Sequence, residues 1–184
     1  LPPAVLSNGS GLTPDRVDAL LGLGGLRYLS VNISTLEKDR YARERGVDQL
    51  ETVVRNLDYM KDKPVAQEMD LVVLGGGDEP HQKAHREITE RYGGSRFNVR
   101  PFEARDRAGW LPTGVRPAEK HRKLRGCDNV GSRPLEHLHV TAEGKCIFCC
   151  EDYDEKLVVG DLKTQSVREV LEGPALALLR RWSY

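Results

Sequence analysis

The residues best suited to chemistry in this sequence are its four cysteines, Cys127, Cys146, Cys149 and Cys150. Three of them fall within five positions, and the fourth lies about one hairpin upstream. Bunching of this kind suits metal ligation in a reducing compartment better than the stapling of loops by disulfides. Soft thiolates this close together can hold zinc or an iron–sulfur cluster, because each ligand gives up a proton and the metal compensates the assembled negative charge. Four thiolates complete either site. Cys146-Ile147-Phe148-Cys149 is a C-x-x-C run, and its plain alternative is that the cysteines serve as small hydrophobes beside Ile147 and Phe148. Cys149 and Cys150 are adjacent, so on an extended chain they point in different directions and do not both reach one cluster.

Other residues invite chemistry and have a simpler reading. Gly76-Gly77-Asp78-Glu79 resembles a nucleotide-cyclase turn, but Pro80 follows where an aromatic residue belongs. The plainer account is a strand-to-helix turn with Asp78 as N-cap. His81 and His85 lie at i, i+4 without the glutamate of a zinc-protease helix. His137 and His139 alternate along a strand and share one face, as a structural, hydrogen-bonded pair would. Trp110 and Trp182 read as packing groups.

The elements that must position the cysteines follow from local patterning. Residues 138–141, 142–145 and 146–149 read as strand, turn, strand, and 157–162 is a further short β element. Ser166 with Glu169 forms a capping box that opens a helix carrying Val167, Val170 and Leu171, interrupted by Gly173-Pro174. Upstream, apolar runs alternate with helical patterns through the first hundred residues, the signature of parallel βα units. Strands are expected at 4–8, 26–34, 65–74 and 96–102. Three helices fall between them, the first opened by Thr13-Pro14, the second by an Asp48/Glu51 capping box, and the third spanning 79–92. Leu26, Tyr28, Leu29, Val31 and Ile33 make the second strand apolar on both faces. Leu29, Val31, Leu50, Val54, Leu57, Val72 and Val73 are the expected core. Residues 103–134 are rich in Arg, Gly and Pro with no period and read as a linker or wrapped loop.

Composition excludes several classes of function. In 184 residues, 39% are hydrophobic and 30% charged, with Lys+Arg and Asp+Glu balanced at 28 each, which disfavours both intrinsic disorder and a globally basic nucleic-acid binder. Residues 81–125 nevertheless hold twelve Lys and Arg against five Asp and Glu, a run that can face an anionic ligand and more commonly marks a solvated surface. No apolar run approaches the roughly 18 residues needed to span a bilayer, and no leader-like segment opens the chain, so a soluble, cytoplasmic protein is expected. The start at Leu1-Pro2-Pro3, without Met, points to residues upstream.

Taken together, Cys127, the strand at 138–141, Gly144 followed by Cys149 in a G-x-x-x-x-C turn, Val159-Gly160-Asp161-Leu162 and the helix from Ser166 resemble the SPASM or twitch domain of radical SAM enzymes. The resemblance extends upstream. Ser7-Asn8-Gly9 looks like the end of the third barrel strand in that family, and residues 29–34 look like the fourth, with Arg45-Gly46 and its helix following. Residues 72–77 and Arg100-Pro101-Phe102 would be strands five and six, and Arg107-Ala108-Gly109 is similar to the exit into the auxiliary domain.

The resemblance implies an α/β fold. Residues 1–109 would be the C-terminal half of a partial (β/α)6 radical SAM barrel, and 110–184 a small α+β SPASM/twitch domain. It implies an oxidoreductase or maturase that uses a SAM-derived 5′-deoxyadenosyl radical to abstract hydrogen from a peptide or small-molecule substrate, with a reductant protein such as ferredoxin or flavodoxin. An auxiliary [4Fe–4S] cluster would take Cys127 and Cys149 foremost, with Cys146 and Cys150 as further candidates. S-adenosyl-L-methionine would lie against Asn8, Ser34, the backbone near Leu74, and Arg100. No membrane or nucleic-acid partner is expected. Two parts of the family pattern are absent, the C-x-x-x-C-x-x-C loop with the first two strands and the later auxiliary cysteines. The chain is therefore expected to be an internal or C-terminal portion that does not start radical chemistry alone. It should also leave an unpaired strand edge and exposed apolar surface. The residues by themselves leave one alternative open, a noncatalytic thiolate–metal module that docks a partner.

Overall fold

A computed structural model of the chain describes residues 2–107, 110, 111, 114–116 and 136–183. They belong to two compact units, Leu1–Ala118 and Glu119–Tyr184.

In the first unit the order is β1 (Ala4–Ser7), α1 (Pro14–Gly22), β2 (Leu26–Ile33), α2 (Lys38–Arg45), α3 (Leu50–Met60), β3 (Ala66–Gly75), α4 (Glu79–Tyr92) and β4 (Asn98–Glu103). The four strands form one parallel sheet in chain order, β1-β2-β3-β4. Its register sets Ser7 beside Val31, Val31 beside Leu71 and Leu71 beside Val99. One helical side chain after another packs on the same face. Val17, Tyr41, Val53, Leu57, Ile88 and Tyr92 share a single buried cluster with Leu29, Val31, Ile33, Met69, Leu71 and Val73. All four helices therefore cover one face of the sheet.

Most of the expected core residues lie in that cluster. Val54 packs against its edge, and Val72 is buried but lies outside it, because strand alternation turns it to the other face. That second face corrects the reading of β2 as apolar on both sides. Past Leu26, the side opposite Leu29, Val31 and Ile33 carries Tyr28, Ser30 and Asn32.

Two further corrections concern helix starts. α2 was not among the expected helices, because its sequence Lys-Asp-Arg-Tyr-Ala-Arg-Glu-Arg has no apolar period. Burial of Tyr41, with Arg40 donating to Glu44 Oε1 at 2.7 Å and to the Pro80 carbonyl at 2.6 Å, ties it to the fold. The Asp48/Glu51 capping box does not form. Both carboxylates lie 3.4 Å from Lys38 Nζ, and the N-cap of α3 is Gln49, without a side-chain bond. Asp78 does cap α4, accepting from the His81 amide at 3.1 Å.

The second unit holds β5 (His139–Val140), β6 (Lys145–Ile147) and β7 (Val158–Asp161) in an antiparallel sheet of that order, followed by α5 (Val167–Leu171) and α6 (Pro174–Ser183). The capping box at Ser166 and Glu169 has both of its reciprocal bonds. α6 buries Leu176 and Ser183 and packs Leu179 against the core, which leaves Trp182 off that stripe and 66% exposed. Trp110, in the first unit, is likewise more than half exposed, so neither tryptophan is the packing group expected. Among the described residues no helix is long and apolar enough to cross a membrane.

Candidate functional site

The C-x-x-C run begins inside β6 and ends beyond it, and this separates its two cysteines. Cys146 is fully buried, paired between Val140 and Gly160, and shares an apolar cluster with Phe148, Val159, Val170 and Leu176. Burial pushes its thiol pKa up, and the charge of Asp161 adds to the effect. Both influences disfavour a thiolate. A register shift between Cys146 and Ile147 then re-aims the chain. Beyond it, Phe148 still points inward, while Cys149 and Cys150 are only partly buried.

The loop that carries Cys149 is held by an aspartate that the sequence reading did not single out. Asp152 Oδ1 accepts from the Lys156 amide at 3.0 Å and Oδ2 from the Leu157 amide at 2.7 Å, while the Asp152 amide donates to the Cys149 carbonyl at 3.1 Å. Lys145 Nζ meets Glu155 Oε2 at 2.6 Å across the same loop. Within this frame the Glu151 amide donates to Cys149 Sγ at 3.4 Å. A backbone N–H aimed at sulfur is the kind of contact that tunes a bound cluster, and Cys149 has one. Gly160 has a packing reason of its own: a Cβ there would meet Val170 Cγ2 at 2.5 Å, so only glycine lets β7 approach α5 this closely.

Cys127 lies outside the described residues, as do Ala108, Gly109 and most of 103–134. Among the described residues no three His, Cys, Asp or Glu side chains gather into a metal site. The rings of His137 and His139 stack at 6.2 Å instead of forming a chelating pair. His81 is buried and consumed by the fold, its Nδ1 accepting from the Gly77 amide at 3.1 Å and its Nε2 lying 2.9 Å from the Val73 carbonyl.

In the first unit, three of the four positions singled out for a nucleoside, Asn8, Ser34 and Leu74, lie at the C-terminal ends of the parallel strands, and Arg100 does not. Asn8 follows β1 by one residue and is exposed, with Oδ1 accepting from the Ser10 amide and hydroxyl at 3.1 and 2.8 Å. Ser34 follows β2; its Oγ is buried and has no partner among the described residues. Leu74 is half-buried near the end of β3. Arg100 lies on β4 beside Val72.

The Arg100 guanidinium turns away from the strand ends and into a polar cluster on the uncovered face. Its Nε donates to Asp70 Oδ2 at 2.7 Å and its Nη2 to the Tyr28 hydroxyl at 3.3 Å. Tyr28 donates to Asp70 Oδ2 at 2.6 Å, and Asn98 Nδ2 to Oδ1 at 3.1 Å. Partial burial works against the Asp70 charge, but the bonds from Tyr28, Asn98 and Arg100 outweigh it and hold the carboxyl below its ordinary range. Several described cations of the basic run are likewise paired with acids. Arg86 pairs with Glu79, Arg91 with Asp58 and Arg116 with Glu103.

No curated protein and no solved structure matches the chain. In the comparison with protein families, the segment that begins on Cys127 and carries all four cysteines, residues 127–184, matches SPASM, an iron–sulfur cluster-binding domain.

Proposed function

We propose that this chain is part of a radical SAM oxidoreductase or maturase, with residues 1–109 supplying barrel wall and the SPASM segment holding an auxiliary [4Fe–4S] cluster. The observation that carries the reading is the SPASM match directly behind four parallel strands in unbroken order, whose helices all cover one face. Parallel crossovers share one hand, so a sheet that grows in one direction keeps its helices on one side, as barrel walls do. A doubly wound sheet reverses direction and is covered on both.

Cys127 and Cys149 are the proposed protein ligands, with Cys150 the next candidate and Cys146 left in the core. A cluster there supplies one-electron redox chemistry and a Lewis-acidic iron. The chain's own contribution is positional: Asp152 fixes the loop, and the Glu151 amide donates to the Cys149 sulfur. At the strand ends, Asn8, Ser34 and the Leu74 backbone are the proposed SAM contacts; the unpartnered Ser34 Oγ supports this, since a buried hydroxyl without a partner is costly unless a ligand satisfies it. The substrate is a peptide or small molecule, electrons come from a ferredoxin- or flavodoxin-like protein, and a reducing cytoplasm suits the thiolates.

Anaerobic reconstitution with iron and sulfide tests the reading. Iron with acid-labile sulfide is expected, and Cys127→Ala and Cys149→Ala should each lower both. Stoichiometric zinc without sulfide would overturn it in favour of a noncatalytic thiolate–metal module.

A further inference from the structure

The face of the sheet that carries no helix is polar in its middle and apolar toward its rims. Register places Ser30, Asp70 and Asn98 at one level and Asn32, Val72 and Arg100 at the next. Leu6 on β1, at the level of Ser30, is 73% exposed, and Phe102 on β4, at the level of Leu74, is 45% exposed. Across the centre of this face Tyr28 and Asp70 hold one edge of a single guanidinium, and Asn98 in turn holds the other oxygen of Asp70. We infer that this cluster is a carboxylate-recognition site for the substrate, in which Arg100 touches the ligand and Tyr28, Asp70 and Asn98 position it. The inference rests on the reading that this face is turned toward a radical enzyme's substrate.

The argument begins with donors. Arg100 commits its Nε and one Nη2 hydrogen to Asp70 and Tyr28, and among the described residues its remaining N–H bonds meet no acceptor. The side chain is 44% exposed, so those donors are accessible, whereas the Asp70 side chain is only 13% exposed. A guanidinium held along one edge presents the other as a planar fork, the geometry that a carboxylate meets with two parallel bonds. Ordering the long side chain in advance removes an entropic cost that binding would otherwise carry.

Charge selects the anion. Asp70 offsets the Arg100 charge, and Glu68 is exposed beside Tyr28 on the same face. No second Lys or Arg occupies this face along β1 to β4. A monoanionic carboxylate needs one cationic fork and tolerates the neighbouring acids. A dianionic phosphate would want a further cation and be repelled by them. Phe102, two residues along β4 from Arg100 on the same face, then offers apolar surface to a short methylene stem, as on an acidic side chain or a small organic acid.

The test is a titration of the full chain with glutarate, followed by the ¹⁵N NMR signal of the Arg100 Nε–H. Glutaramide serves as the neutral control, acetylglutamate N-methylamide as the peptide-like acid and inorganic phosphate as the competing anion. Both acids should move the signal with a Kd on the order of 1 mM; the tighter of the two identifies the source, and glutaramide should leave it unmoved. Arg100→Lys, read instead by the side-chain amide signal of Asn98 in the same cluster, keeps the charge and loses the fork, and should weaken binding about tenfold. Because Arg100 is built into the network, Tyr28→Phe serves as the second variant. It should weaken binding about threefold and broaden the Arg100 signal, which a merely structural loss elsewhere would not do. Equal responses to glutarate and glutaramide, tighter binding of phosphate, or unchanged affinity in Arg100→Lys would each overturn the inference. A protein that loads its iron–sulfur cluster but ignores both acids removes this inference alone. One that binds the acids yet takes up no cluster overturns the radical-enzyme reading instead.

Discussion

The two units of this chain are held together by different means. In Leu1–Ala118, twenty buried residues form one cluster between a parallel sheet and its four helices, and the unit contains no cysteine. In Glu119–Tyr184, the described core is Cys146, Phe148, Val159, Val170 and Leu176, below strands of two to four residues. So small a core rarely stabilises a unit alone, and small domains commonly rely on a metal or disulfides to close the gap. The difference teaches that the same residue type does two jobs in the smaller unit. Cys146 fills the core, while Cys149 packs at its edge, only partly buried, and is the proposed ligand. Metal dependence should therefore be confined to the second unit.

The largest effect expected is from removing the cluster. Chelation, or Cys149→Ala, should leave the amides of Cys146 and Val159 exchanging like an unfolded segment while those of Val31 and Leu71 stay protected; hydrogen exchange on the reconstituted protein checks this. Uniform protection after chelation would break the comparison. Next comes the reverse experiment, Leu57→Ala at the centre of α3, which should cost the first unit about 2–5 kcal/mol in denaturant unfolding and leave iron content unchanged. A smaller change sharpens the division within the C-x-x-C run: Cys146→Ala should cost about 1–2 kcal/mol and keep the iron, whereas Cys149→Ala should lose it. The smallest effect concerns acid. Asp70 is held below its ordinary pKa, so its contribution is fully present above the unfolded value, near 4, and is lost as pH falls through the lower folded value. Asp70→Asn should therefore flatten the acid limb of a melting-temperature profile and change little at pH 8 beyond a constant offset.

Where the chain's local patterns were strong, the fold was legible. α4 spans the residues expected behind the Asp78 N-cap, and the Ser166–Glu169 box opens α5 where those two residues stand. Each signal acts over one helical turn and needs nothing from the rest of the molecule. α2 was illegible for the opposite reason. Its stability comes from Tyr41 in the shared core and from Arg40 reaching the Pro80 carbonyl, forty residues away. The Asp48/Glu51 pattern misled because Lys38, on another helix, competes for both carboxylates.

The candidate site divides along the same line. The sequence by itself determined that cysteines cluster after Cys127, that a hairpin presents them and that parallel βα units precede them, because spacing and periodicity are properties of neighbours along the chain. Only the tertiary structure decided that Cys146 is fully buried and Cys149 only partly so, with a register shift after Cys146 and the Asp152 hydrogen bonds shaping the chain between and beyond them. It also decided that Tyr28, Asp70 and Arg100 meet. Their encounter depends on the register of three parallel strands, each separated from the next by a crossover helix, and no local pattern encodes a register between strands that far apart.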